Sequence, residues 1–269
     1  MAKIFWVLFA VIVLSVNLAY AVEGNSKMSV SSAPFFKDPA TGMEMVYVKG
    51  GCYQMGATGD DCDANPEERP AHEVCVEDFY LGKYEVTQGQ WKSIMGSNTS
   101  TISTCGEDNC PVDNVSWSDV QGFISRLNSR NGGSQYRLPA EAEWEYAARS
   151  GGKSEKFSGG KDVDSVSWNA ENSGKINHPV GTKAPNGLGV YDMSGNVWEM
   201  TNDWFGSNYY SSSPRNNPTG PTSGIDRVIR GGCRTGGSLN QRTSRRIYVY
   251  DRTGSDRGGN VGFRLLRTP

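Results

Sequence analysis

Six cysteines and two histidines are the residues of this sequence that could perform redox, nucleophilic or soft-metal chemistry. They are Cys52, Cys62, Cys75, Cys105, Cys110, Cys233, His72 and His178. No two cysteines have the CxxC spacing of a zinc site, and the two histidines lie far apart in the chain, which argues against structural zinc. An even number of cysteines in an exported chain instead favours disulfides.

Four of the cysteines suggest two bridges. Cys105 and Cys110 flank the short stretch Gly-Glu-Asp-Asn, so a disulfide between them would close a small loop. Cys52 and Cys75 both lie in strand-like segments that could pair side by side. The sequence therefore predicts that each pair is able to form a bridge.

The remaining cysteines, Cys62 and Cys233, could form a third bridge or stay free, and the sequence leaves both possibilities open. A lone cysteine becomes a candidate nucleophile when a base lies nearby. Only His72 and His178 could supply an imidazole, and His178 has the pattern of an ordinary structural or surface histidine. We therefore favour a disulfide with Cys62 or a buried thiol for Cys233.

Short strands and about three helices must position these residues. Alternating apolar residues predict strands, and capping residues followed by residues at helical intervals predict helices. Beyond residue 151 the segments become short, polar and rich in Gly, Asn, Ser and Pro, which indicates long loops. The strands are expected at 45–48, 52–55, 72–84, 228–230 and 261–266, and the helices after Thr87, after Ser116 and over 140–149.

The N-terminal residues predict export. Lys3 precedes an apolar run from residue 4, and residues 19–21 (Ala-Tyr-Ala) provide the small residues that signal peptidase recognises. We expect a signal peptide at 1–21 that is removed before Val22. Polar residues interrupt the apolar run before it reaches the roughly 20 residues of a membrane span.

The rest of the chain predicts a single loop-rich domain. Residues 22–42 are rich in Ser, Ala, Pro and Gly and are expected to be a flexible leader, with one domain over 43–269. Mean hydropathy is −0.54, which leaves no second membrane segment. The formal net charge of −2 gives no electrostatic reason to expect nucleic acid as a partner.

Several motifs occur in a fixed order. This set resembles the formylglycine-generating enzyme family, also called sulfatase-modifying factors, over roughly residues 43–267. The resemblance implies an α+β, irregular, loop-rich fold of the C-type lectin type, with a small twisted antiparallel sheet. The motifs are Tyr-Glu-Val-Thr at 84–87, Val-Ser-Trp at 115–117, Arg-Leu-Pro-Ala-Glu-Ala-Glu-Trp-Glu at 137–145, Gly-Val-Tyr-Asp-Met-Ser-Gly-Asn-Val-Trp-Glu at 189–199, Arg-Val-Ile-Arg-Gly-Gly at 227–232 and Gly-Phe-Arg at 262–264.

The resemblance also locates the oxidase centre of the namesake enzymes, in which two cysteines bind copper three and eight residues after a Gly-Gly-Ser step. In this sequence the step ends in Cys233, and counting onward gives Gly236 and Gln241. Neither residue offers the soft thiolate that Cu(I) prefers. We therefore expect no copper and no formylglycine synthesis, with Cys233, Gln241 and Trp198, which lines the pocket of active relatives, as the candidate catalytic residues.

Calcium sites are implied by the same resemblance. Calcium takes six to eight oxygen ligands, both carboxylates and backbone carbonyls. One site would use the side chains of Asp192 and Glu199 with the carbonyls of Gly195 and Val197. A second site would begin at Asn169 and the carbonyl of Ala170.

The functional prediction follows from these features. We expect an exported, calcium-stabilised binding or accessory protein without copper, whose partner is a protein, peptide or small molecule. An alternative is a periplasmic maturation enzyme acting on a peptide or siderophore, as family members do in pyoverdine maturation. A formylglycine-generating oxidase is the least favoured function, and whether the protein is an enzyme stays open. The ligand would contact the stretch 234–260, which carries Asn240, Gln241, Arg245, Arg246, Tyr248, Tyr250 and Asp251.

Overall fold

The computed structural model describes residues 35–59, 61–100, 105, 108–133, 135–251 and 254–269. The signal peptide predicted at 1–21 and most of the leader predicted at 22–42 lie outside these residues. In the described part of the chain, no helix is long and apolar enough to cross a membrane.

Eleven strands and four α-helices can be assigned in this part of the chain. The strands are β1 (Phe35–Lys37), β2 (Glu44–Val48), β3 (Gly51–Met55), β4 (His72–Val76), β5 (Phe79–Gly82), β6 (Tyr136–Arg137), β7 (Trp198–Trp204), β8 (Asp226–Arg230), β9 (Arg246–Tyr250), β10 (Val261–Gly262) and β11 (Leu266–Arg267). The helices are α1 (Gln88–Met95), α2 (Trp117–Arg130), α3 (Glu141–Ala148) and α4 (Val163–Val166).

The strands form three sheets, where the resemblance implied one small antiparallel sheet. A five-stranded antiparallel sheet has the order β1-β2-β5-β11-β6, and β3 pairs with β4 alone. The third sheet has the order β10-β7-β8-β9 and is mixed, because β10 runs parallel to β7. The α+β, loop-rich architecture is confirmed, and the number of sheets is larger than expected.

Two expected elements differ in detail. The run 261–266, predicted as one strand, is divided between β10 and β11, because the chain leaves one sheet at Gly262 and joins another at Leu266. β1 lies inside the segment 22–42 that was expected to be flexible. It is ordered because it pairs with β2 and because Phe36 packs edge-on against Tyr80, with ring centroids 6.2 Å apart.

The three predicted helices are confirmed, and each begins at an identifiable cap. The side chain of Thr87 accepts a hydrogen bond from the backbone amide of Gln90, and Ser116 forms a capping box with Asp119. Ala140, the residue before helix α3, has no capping side chain. The carboxylate of Asp203 replaces it by accepting from the backbone amide of Glu141 at 2.9 Å.

Buried ion pairs hold α3 against the third sheet. Glu141 and Glu145 lie one helical turn apart and are both buried, and the guanidinium of Arg230 in β8 contacts both carboxylates. Arg246 in β9 contacts Glu141 at 2.7 Å, and Arg149 contacts Glu145 at 2.8 Å. The helix and two strands are therefore joined by a single network of charges.

Removal of one carboxylate from this network should destabilise the fold. We expect Glu145→Gln to lower the free energy of unfolding by about 3 kcal/mol, because buried Arg149 loses the carboxylate it pairs with and Arg230 keeps only Glu141. Glu143→Gln, on the same helix but paired with the half-exposed Arg137, should cost about 1 kcal/mol or less. Urea denaturation of both variants measures the difference, and equal losses would contradict it.

The carboxylate of Glu145 also makes the stability of the fold depend on pH. Burial alone would raise the pKa of Glu145, but Arg149 and Arg230 together lower it below its ordinary value of 4.5. A lowered pKa stabilises the folded state above the unfolded-state pKa, and this contribution is lost as the pH falls through the folded-state value. The stability difference between wild type and Glu145→Gln should therefore shrink in acid below about pH 4.5, as denaturation at several pH values will test.

Candidate functional site

The loop that follows β8 contains the positions where copper-binding relatives have their ligands. Gly231 and Gly232 both have positive φ, and a Cβ on Gly232 would lie 2.1 Å from Oε1 of Gln241. Gln241 is fully buried, and its Nε2 donates to the carbonyls of Cys233 and Gly236 at 3.1 and 2.9 Å. The amide thus ties the loop to itself with hydrogen bonds.

This donor set does not fit copper. Gly236 has no side chain, and the amide nitrogen of Gln241 is engaged with backbone carbonyls. Cu(I) prefers soft sulfur ligands, and only Cys233 could supply one here. The absence of copper nevertheless stays a prediction, since only a binding measurement tests it.

Cys233 is a buried free thiol. Two disulfides form as the sequence allowed, Cys52–Cys75 and Cys105–Cys110, while Cys62 is exposed and also free. Within the described residues, the polar contact of Cys233 Sγ is with Oγ1 of Thr235 at 3.3 Å. The third bridge that the sequence left open is therefore absent.

Both histidines are engaged elsewhere. His178 stacks on Trp168 with ring centroids 3.6 Å apart, and His72 packs against Tyr210 at 4.8 Å. Neither ring is among the contacts of Cys233, so the structure does not bring a nucleophile and an imidazole base together.

A concave surface lies beside this loop, and we call it the aromatic groove. It has a volume of about 770 Å³, and Trp198, Ile229 and Val249 contribute apolar surface to it. Tyr248 and Tyr250 in β9 also line it, with 42% and 54% of their surfaces exposed and their ring centroids 5.6 Å apart. Exposed aromatic rings next to apolar surface are typical of a ligand-binding site.

The polar rim of the groove connects to Cys233. Asn260 lines the groove and donates from Nδ2 to Oγ1 of Thr235 at 3.1 Å, and Thr235 in turn contacts Cys233. Trp198 belongs to the groove, as the sequence suggested. Cys233 and Gln241 are not among the residues that line it.

The expected ligand-contact stretch 234–260 is only partly a surface. Arg246 and Gln241 are fully buried, and Asp251 is buried in an ion pair with Arg227 at 3.1 Å. Arg245 contacts Glu68 at 3.3 Å, and Asn240 is half-buried. The prediction was wrong for the buried residues because their charges and amides are used to hold the interior together, and Tyr248 and Tyr250 remain as the exposed members.

The loop over residues 192–199 collects buried carboxylates. Oδ2 of Asp192 accepts from the backbone amide of Gly181 at 2.7 Å, and Glu199 accepts from Arg264 and from the indole of Trp144. Glu85, which the sequence reasoning did not assign to this site, adds a third carboxylate that accepts from Asn196 at 2.7 Å. Its Tyr-Glu-Val-Thr motif was noticed, but nothing in that motif indicated the contact.

The carboxylates of this loop carry excess negative charge. Burial and the carboxylates of Asp192 and Glu199 raise the pKa of Glu85 well above its ordinary value, and burial raises the pKa of Asp192 to about 6. Three buried carboxylates thus share one nearby guanidinium, that of Arg264. Among the described residues, none donates a hydrogen bond to the carbonyl oxygens of Gly195 or Val197. Calcium held by Asp192, Gly195, Val197 and Glu199 would offset the excess negative charge. The site stays a prediction, because both carboxylate oxygens of Glu199 already accept hydrogen bonds from Arg264.

The second expected calcium site has its side-chain oxygen already engaged in a hydrogen bond. Oδ1 of Asn169 accepts from the backbone amide of Glu171 at 2.9 Å, and its Nδ2 donates to Asp164. The backbone amide of Ala170 donates to the carbonyl of Gly236. The oxygen that would bind calcium is already used to close a turn, and the site stays a prediction.

Comparison with known proteins identifies the family. Residues 31–269 match the family described as the sulfatase-modifying factor enzyme 1-like domain. The chain belongs to this family. The matched residues include the described sheets, the groove and the loop 192–199, so the family resemblance recognised in the sequence is confirmed.

Relatives of this sulfatase-modifying factor domain carry different names. The chain is 33% identical to the chaperone protein LppX of Paenibacillus barcinonensis, over 74% of this chain and 81% of that protein. It is 36% identical to the formylglycine-generating enzyme of Streptomyces coelicolor, over 66% of this chain and 58% of that enzyme. The chain therefore spans little more than half the length of that enzyme.

Solved structures confirm the C-type-lectin-like fold of the sulfatase-modifying factor family for this chain. Treponema denticola variable protein 1 matches with a TM-score of 0.76 and 27% identity, and PvdO from Pseudomonas aeruginosa with 0.75 and 28%. Each match covers 88% of this chain and 99% of the other.

Calcium should stabilise the protein through the loop 192–199. At a calcium concentration about 100 times Kd, we expect Tm to rise by about 5–10 °C. Asp192→Ala should abolish this rise, whereas Asp78→Ala, which removes an exposed carboxylate elsewhere, should keep it. Differential scanning fluorimetry with and without calcium measures the shift within each variant. A full calcium shift in Asp192→Ala would exclude the site.

Proposed function

We propose that the protein is an exported, calcium-stabilised binding or accessory protein that holds a protein, peptide or small-molecule ligand in the aromatic groove. The observation that carries the proposal is the pair of exposed tyrosines, Tyr248 and Tyr250, at the mouth of a groove with apolar surface from Trp198 and Ile229. Tyrosines supply a large contact area at low cost in conformational entropy.

The chemistry of the loop after β8 supports binding over oxidation. Copper chemistry in this family depends on two thiolates, and the corresponding positions here are Gly236 and Gln241. The hydrogen bonds of Gln241 give this residue a structural task instead. Formylglycine synthesis is therefore the least favoured function.

Export is supported by the cysteines. Disulfides persist in the periplasm and outside the cell and are rare in the cytosol. The bridges Cys52–Cys75 and Cys105–Cys110 agree with this distribution, as does the predicted signal peptide at 1–21. The relative LppX is named a chaperone protein, and this similarity supports an accessory role.

A periplasmic maturation enzyme is the second candidate. The likeness to PvdO favours it, as does the path from the groove through Asn260 and Thr235 to the thiol of Cys233. An enzyme of this kind would be a maturation factor, of oxidoreductase type, without the two-cysteine copper site. Conversion of a peptide or siderophore precursor that is lost in Cys233→Ser but kept in Tyr248→Ala would favour this candidate over binding.

The binding proposal is tested with arrays of immobilised peptides and glycans. Ligands captured by the wild type should bind about tenfold more weakly to Tyr248→Ala and to Tyr250→Ala, because each loses an aromatic contact. Phe35→Ala, which removes an equally exposed ring from β1, should change affinity less than about twofold. Ligands that bind all three variants equally would show that the groove is not the site.

The oxidase alternative has a direct test. After incubation with copper, a reductant and a peptide carrying a sulfatase cysteine motif, we expect the peptide to keep its mass, because the chain lacks a thiolate pair at 236 and 241. Mass spectrometry detects the loss of the thiol. Conversion above the rate seen with copper alone would contradict the proposal.

A further inference from the structure

The disulfide Cys52–Cys75 lies at the surface of the small β3–β4 sheet. The two cysteines are directly opposite each other in the register, and Cys52 is exposed. The other bridge differs, since Cys110 is completely buried. A thiol in solution can thus approach the sulfur of Cys52 more easily than that of Cys110.

Charged groups flank this disulfide. Nη2 of Arg215 lies 3.9 Å from Sγ of Cys52, and a carboxylate oxygen of Glu73 lies within 4.8 Å of both sulfurs. Arg215 also forms an ion pair with Glu73, and its carbonyl accepts from the backbone amide of Cys75 at 2.7 Å. The guanidinium is therefore held beside Cys52 by two anchors.

The backbone pairs this region independently of the sulfurs. β3 and β4 are in register over five residue pairs, from Gly51 with Val76 to Met55 with His72. On its other side, β4 exchanges hydrogen bonds between Cys75 and residues 215–217. The sheet thus has a backbone framework that does not depend on the disulfide.

We propose that Cys52–Cys75 is a thiol–disulfide exchange centre that oxidises a dithiol in a polypeptide substrate. A substrate thiolate attacks Sγ of Cys52, the bond between the two sulfurs breaks, and its electron pair leaves on Cys75, which takes up a proton. The result is a mixed disulfide between the substrate and Cys52. Arg215 attracts the incoming thiolate and offsets its charge at Cys52.

A second substrate thiolate completes the reaction. It attacks the substrate sulfur of the mixed disulfide, and Cys52 leaves as a thiolate that Arg215 stabilises. Two electrons have then passed from the substrate dithiol, which becomes a disulfide, to the protein, which becomes a dithiol. A low-molecular-weight disulfide such as oxidised glutathione regenerates the bridge by the same exchange in reverse. This activity is separate from ligand binding in the aromatic groove.

The first experiment compares the two bridges within one molecule. The oxidised protein is mixed with a synthetic peptide dithiol, and free thiols are alkylated over time and assigned by mass spectrometry. We expect Cys52–Cys75 to be reduced at least about tenfold faster than Cys105–Cys110, in step with oxidation of the peptide. Reduction of Cys105–Cys110 first, or at the same rate, would overturn the proposal.

Variants of Arg215 separate chemistry from packing. Arg215→Gln should slow reduction of Cys52–Cys75 about fivefold and leave that of Cys105–Cys110 unchanged, while Arg215→Lys should keep most of the rate because it keeps the charge. The double variant Cys52→Ser/Cys75→Ser should not oxidise the peptide. If that variant fails to fold, the comparison of Arg215→Gln with Arg215→Lys still tests the proposal. Equal rates in all three Arg215 forms would show a purely structural bridge.

Discussion

The contact between Arg230 and the carboxylates of Glu141 and Glu145 is the interaction on which the rest of this structure depends. A guanidinium removed from water needs its counter-charges in place, so α3 and β8 can pack only in one relative position. The residues directly after Arg230 form the Gly-Gly-Cys loop, and β9 is aligned on β8. Two buried charges on a helix therefore set the position of the groove and of the Cys233 thiol.

Several features could be predicted from the sequence because their causes are local. Thr87 and Ser116 cap helices whose apolar residues follow at helical intervals. The residues at the two copper positions follow from a count of three and eight after Cys233. The ion network could not be predicted in this way. Arg230 reaches Glu141 from 89 positions along the chain, and the sequence does not reveal which distant charge becomes a partner.

The same limitation explains the errors around the groove. Arg246 and Asp251 are residue types that are common on binding surfaces, yet they face counter-charges in the interior. Glu85 was missed for the same reason, because its contacts with Asn196 and Val197 join segments that are remote in the chain. Alternation along β9 could not have separated Arg246 from the tyrosines, because residues 246, 248 and 250 lie on the same face of the strand.

The position of β9 at the edge of its sheet has an evolutionary consequence. Arg246 anchors the strand inside the protein, while Tyr248 and Tyr250 are exposed, and Tyr248 packs against Tyr250 and Phe205. Substitutions at 248 and 250 therefore affect few interactions of the interior. Under the proposed binding function, descendants of this chain can acquire new binding preferences by changing two side chains, without a compensating change elsewhere in the scaffold.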